Sequence, residues 1–167
     1  MTATTPQQKI TYTSTNVDLE GFHRSFDAAL AAVRAQAGRS HPLYINGQAV
    51  EVTGKEPIVD TSPIDTALVL GRFAAATKEH VDQAVRAALP WQERVRILRR
   101  AAELIRERKF ELAAIMAYEV GKNRFEAMGD AEESADLIDY YCQQVVDHNG
   151  FVVEMARLTP IERNTEI

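Results

Sequence analysis

Cysteine is almost missing from this chain. It occurs once in 167 residues, at Cys142, so no intramolecular disulfide can form. A lone cysteine is the usage of a reducing compartment, and a chain of this length buries enough surface to fold without bridges. Long apolar runs are missing too, none reaching the roughly 18 residues a membrane-spanning helix requires. The four histidines, His23, His41, His80 and His148, stand far apart with no pair at i, i+4, so the sequence spells no metal-binding helix. The eight glycines form neither G-x-G-x-x-G nor a P-loop, which removes the usual phosphate cradles. A net charge of −5 disfavours nucleic acid and anionic membrane as partners. Residues 1–15 are polar, with neither the basic nor the apolar stretch of a secretion signal, and read as a flexible tail. The expected location is the cytoplasm.

What is present is helical periodicity. From about Asn16, residues Leu19, Phe22, Phe26, Leu30 and Val33 recur at spacings of three and four, with Gly38 as a left-handed cap beyond them. Leu43 to Val50 reads as a hairpin, because Asn46-Gly47 accepts the two positive φ angles of a type I′ turn. Residues 57–75 read as extended segments around a Thr61 to Asp65 turn, with Leu68-Val69-Leu70 at the centre of a strand. Thr77 caps a short helix with Val81, Ala84, Val85 and Ala88 as its inward face, and Pro90 interrupts it. A long helix follows, with Val95, Leu98, Ala101 or Ala102, and Ile105 on one stripe; a further apolar group from Leu112 to Val120 ends at Gly121. The last helix spans about Phe125 to Asn149, with Leu137, Tyr141 and Val145 at i, i+4 and i+8, and Phe151-Val152-Val153 starts a strand. The fold class is therefore α/β, rich in helix, with one β-hairpin.

Two neighbouring segments carry opposite charge. Residues 92–109 hold seven basic residues against three Glu, whereas residues 125–149 hold seven acidic residues and no Lys or Arg. Two solvated faces lying side by side account for this, since surface pairs contribute little each; the alternative is that some of the acids face a site. Glu133 is the acid to weigh. It stands four residues before Leu137, in line with the apolar stripe, which aims its carboxylate toward packed protein, where an unpaired charge is costly. An arginine of the 92–109 helix is one candidate partner. Cys142, in the middle of an apolar helix face, reads as a packed thiol and not a nucleophile.

The run Tyr118-Glu119-Val120-Gly121-Lys122-Asn123, with Glu126-Ala127 after it, resembles the E-x-G-K…E-A signature of aldehyde dehydrogenases. Around it, Tyr44-Ile45-Asn46-Gly47 resembles that family's entry hairpin, Pro63 with Leu70-Gly71-Arg72 its following strand pair, and Thr77 to Ala88 its first crossover helix. Arg94 to Ala102 resembles the next helix. The helix before the hairpin and the segment Asp130 to Tyr141 are most similar to the branch that acts on glutamate semialdehyde. The resemblance covers roughly residues 18–167. It implies residues 16–149 as the N-terminal part of an incomplete cofactor-binding domain, and residues 150–167 as the start of oligomerisation strands. It also implies NAD as cofactor, a small-molecule substrate and a homo-oligomer when complete. Ala88-Leu89-Pro90-Trp91 runs on where the family has several more residues, which shortens a helix and its turn. The family's nucleophilic cysteine, general-base glutamate, oxyanion asparagine and NAD-binding crossover have no counterpart in these residues, so no catalytic and no cofactor-binding residue is assigned and this chain alone is expected to be inactive. By the same resemblance Glu133 falls where such enzymes carry a glutamate near the substrate's amino group, and it is the one substrate-binding residue expected here. Another aldehyde dehydrogenase, for succinate semialdehyde for example, and a non-catalytic helical interaction module remain the competing readings.

Overall fold

A computed structural model describes residues 18–152; the expected tail at residues 1–15 and most of the expected strand after residue 150 lie outside the described residues. Five helices and two small sheets follow in the order α1 (Leu19–Gln36), β1 (Arg39–His41), β2 (Leu43–Ile45), β3 (Gln48–Val50), β4 (Ile58–Thr61), β5 (Val69–Phe73), α2 (Lys78–Arg86), α3 (Trp91–Glu107), α4 (Lys109–Val120) and α5 (Arg124–Asp147). A short 3-10 turn, Asn149–Phe151, ends the described chain.

Helix α5 is the axis of the molecule. Ala127, Ala131 and Ala135 recur every four residues, and Cys142 continues the stripe; all four are buried. Side chains this small let α3 and α4 approach the α5 backbone closely from two sides. On the α4 side, Phe22 and Phe26 of α1 pack with Ala113 of α4 and with Ala127 and Met128 of α5, and Phe110 and Met116 close the cluster. On the α3 side, Val95 and Ala102 are the buried residues. Helix α1 begins at the N-cap Asp18, whose carboxylate accepts the Gly21 N–H at 3.0 Å, two residues later than the spacing suggests.

The sheets hold one strand that the sequence reading missed. β1 pairs in parallel with β5, and β4 pairs antiparallel with β5 on its other edge, giving the order β1-β5-β4. Gly38, at φ +80°, turns the chain out of α1, and its N–H extends the ladder to the Leu70 carbonyl at 3.0 Å. Three residues are too few to show a period, which is why β1 escaped notice. The hairpin β2–β3 has the expected turn, with Asn46 and Gly47 at φ 51° and 71°.

Two helix faces depart from expectation. Val81 and Val85 of α2, expected to face inward, are 55% and 69% exposed, and α2 buries no residue. Its N-terminus is nonetheless well made: Thr77 and His80 form a reciprocal capping box. On α5 the large residues Leu137 and Tyr141 are 46% and 62% exposed, because the alanine stripe beside them has taken the inward position. Phe151, expected to open a strand, lies in the 3-10 turn, and Val152, the last described residue, is extended.

One buried ion pair locks this arrangement. Lys109, the first residue of α4, donates to Glu132 of α5 at 2.8 Å, and both side chains are almost wholly out of solvent. Removing one partner would strand a charge in the interior, which costs about 3 to 5 kcal/mol. Lys109→Met is therefore expected to destabilise the chain by about that amount, whereas Lys109→Met with Glu132→Leu should recover most of the loss. Urea denaturation of the single and double variants measures this; equal losses in both would show that the ion pair is not the fastening.

Candidate functional site

The E-x-G-K segment is a junction of four elements. Helix α4 closes on Gly121 in the left-handed conformation, φ 71°. Ser62, buried in the β4–β5 turn, donates its hydroxyl to the Tyr118 carbonyl at 2.7 Å and so ties that turn to the last part of α4. Lys122 reaches across to Asp130 on α5. The Asn123 side chain caps α5 by accepting from the N–H groups of Phe125 and Glu126. Arg124 then pairs with Asp27 at 2.6 Å and lies over the Phe26 ring, binding α5 to α1. Lys122, Asn123 and Arg124 are thus engaged in holding α5 in register with itself and with α1, while Glu119 is exposed.

The oppositely charged segments meet as α3, the start of α4, and α5. Arg106 bonds both Asp136 and Asp139, at 3.1 and 2.8 Å, and Arg99 donates to Gln143 at 2.9 Å. Burial opposes the charge on Arg106, yet bonds to Asp139 and Asp136 hold its guanidinium above the usual arginine value. These are partly exposed pairs, as expected of adjoining solvated faces. The Lys109–Glu132 pair is the exception, and nothing in the charge count distinguished it.

Glu133 follows Glu132 directly and so points about 100° further round the helix. It is exposed and its side chain has no hydrogen bond or ion pair among the described residues; Arg96, Arg99, Arg100 and Arg106 of α3 engage other partners. The inward aim inferred from its alignment with Leu137 and Tyr141 is therefore corrected, since that whole stripe faces outward. One turn beyond Glu133, Leu137 and Tyr141 form one wall of a cleft of about 370 Å³ between α3 and α5; Leu98, Val95 and Trp91 form the other. Cys142 lies at the bottom, 2% exposed, with its Sγ 3.9 Å from the Val95 carbonyl, a packed thiol as expected. The cleft is mostly apolar, with Arg94 the charged residue of its lining, and Glu133 stands one turn outside it.

The described residues do not fit a dinucleotide. The strand-to-helix connection after β5 reads Ala74-Ala75-Ala76-Thr77, without glycine, and Thr77 and His80 already occupy the N-terminus of α2.

Residues 50–165 match the family model described as the aldehyde dehydrogenase family. The chain is 37% identical over 142 residues to 1-pyrroline-5-carboxylate dehydrogenase 2 of Bacillus subtilis, a match covering 80% of this chain and 27% of that protein. It is 38% identical over 141 residues to 1-pyrroline-5-carboxylate dehydrogenase of Staphylococcus aureus, covering 79% of this chain and 26% of that one. Among solved structures, a mutant 1-pyrroline-5-carboxylate dehydrogenase of Thermus thermophilus superposes with a TM-score of 0.72 at 34% identity, over 95% of this chain and 31% of the other. An NAD-bound 1-pyrroline-5-carboxylate dehydrogenase from Thermus gives 0.71 at the same identity, over 95% and 31%. These 116 matched residues and the shared helix-rich α/β fold place the chain in the aldehyde dehydrogenase family. It spans about a quarter of the length of the curated relatives it matches.

The cleft ends at a corner where Trp91 lies against Gly150. At φ +77° and with Trp91 Cδ1 only 2.4 Å from where a Cβ would stand, position 150 admits no side chain without displacing the indole. Gly150→Ala is expected to cost about 2 kcal/mol. Because Trp91 is the single tryptophan, its emission should shift toward that of exposed indole, and an unchanged spectrum would count against the packing described.

Proposed function

We propose that the complete enzyme oxidises L-glutamate γ-semialdehyde to L-glutamate with NAD, the reaction of a 1-pyrroline-5-carboxylate dehydrogenase. The observation that carries this reading is the match to enzymes of that name along most of the chain, at 34% to 38% identity in sequence and fold together. In this reading residues 16–149 are the N-terminal part of the cofactor-binding domain, residues 150–167 start oligomerisation strands, and the complete protein is a cytoplasmic homo-oligomer. That none of the described helices is long and apolar enough to cross a membrane is in keeping with it.

Aldehyde oxidation by this route needs a thiolate to attack the carbonyl and an acceptor for the hydride. The work of the residues described here is binding. Glu133 receives the substrate's ammonium group through a charge-assisted hydrogen bond, and the apolar wall next to it excludes water from the aliphatic chain. An exposed, unengaged carboxylate supports this role better than an inward one, since it is free to meet a ligand.

Glu133→Ala in the complete enzyme is expected to lower kcat/KM for glutamate semialdehyde by about 10- to 100-fold, the worth of one charged hydrogen bond. With glutarate semialdehyde, the same chain without the amine, the loss should be less than about threefold. Equal losses on the two aldehydes would make Glu133 structural.

The 167-residue chain by itself is expected to show no NAD-dependent aldehyde oxidation, because its one thiol is buried. Turnover that disappears in Cys142→Ala would reverse this assignment and make Cys142 the nucleophile.

A further inference from the structure

A second cavity, of about 340 Å³, lies between the C-terminal end of α1, the three-stranded sheet and α4, and the proposed chemistry makes no use of it. Its floor is apolar, made by Leu68, Leu70 and Ile115. His41 and Phe73 stack at its edge with ring centroids 4.9 Å apart and 14° between their planes, so a flat hydrocarbon surface adjoins the floor.

The polar part of the lining is unevenly engaged. Arg108 binds Glu111 through two hydrogen bonds of 2.8 and 2.6 Å, and this bonding holds the Glu111 carboxyl below the usual glutamate value despite partial burial. That pair is closed on itself. Arg39 donates to the neutral amide of Gln36 at 3.3 Å, and the Arg34 guanidinium has no hydrogen bond or ion pair among the described residues. Asp60 supplies one further carboxylate, so three guanidiniums face two carboxylates in a chain whose net charge is −5. The local excess of positive charge runs against the charge of the whole molecule.

We propose that this cavity binds a small aromatic carboxylate, its ring over the Leu68–Leu70–Ile115 floor beside Phe73 and its carboxylate on Arg34 and Arg39. The volume lies in the range of small-molecule sites, and guanidinium binds carboxylate with matched planar geometry. An apolar floor selects against a bare anion, and the two arginines select against a neutral ring.

The test titrates the full chain with 2-naphthoate, its neutral analogue 2-naphthamide and inorganic phosphate, each followed by calorimetry and by amide chemical shifts. Naphthoate should bind about tenfold more tightly than naphthamide and should not be displaced by phosphate at equal concentration. Arg34→Gln with Arg39→Gln should weaken naphthoate about tenfold and leave naphthamide unchanged. Leu98→Ser with Tyr141→Ser, in the other cleft, should change neither. Equal binding of the acid and the amide by the unaltered chain overturns the proposal without any variant. So do displacement by phosphate, indifference to the arginine changes, loss with the Leu98 and Tyr141 changes, and absence of binding at millimolar ligand.

Discussion

The meeting of Lys109 and Glu132 sets the rest of the molecule. Lys109 opens α4 immediately after Arg108, the joint between α3 and α4, and Glu132 lies midway along α5. Rotation of α5 about its axis would separate this pair and leave the buried Glu132 carboxylate without Lys109, which is costly. With Glu132 pinned inward, the alanine stripe faces α3 and α4, and the neighbouring carboxylate, Glu133, has nowhere to go but out. Two consecutive acids therefore have opposite fates. One is buried in an ion pair and the other stands exposed.

Much of the fold was legible because its signals are local. The Asn46-Gly47 turn, the Thr77 cap and the Gly121 terminus each depend on backbone geometry that few residues satisfy, and each is found where the residues place it. The faces of α5 and α2 were misread for one shared reason. Hydrophobic periodicity weights large side chains, so Leu137 and Tyr141 outvoted Ala127, Ala131 and Ala135. Close helix packing prefers the small ones, and the alanine repeat at every fourth residue was the signal that could have found the buried face. On α2, Val81 and Val85 do mark an apolar face, but none of the described elements covers it.

The site was legible in part. Glu133 was singled out by its alignment with an apolar stripe, and the stripe turned out to line a cleft and not a core. The choice of residue and the geometric reason for it thus come apart: the inward aim is wrong, while the exposure that replaces it leaves the carboxylate free. Glu132, a buried charge, could not be told from its neighbour by composition, because its partner is 23 residues away on another helix. Long-range pairing of this kind is written in no local pattern.

The family signature also reads differently once its contacts are known. Gly121 reverses the chain, Lys122 and Arg124 fasten the start of α5 to itself and to α1, and Asn123 supplies the cap. None of these groups is free to do chemistry, and their combined effect is to aim the whole of α5. A helix of 24 residues is about 36 Å long. A small change of direction at its start therefore moves its far end by several ångströms, and with it Leu137, Tyr141 and the cleft they line. A turn at one end of α5 in this way governs where Glu133 and the cleft stand. That accounts, in physical terms, for a dense set of bonds at a turn far from the cleft.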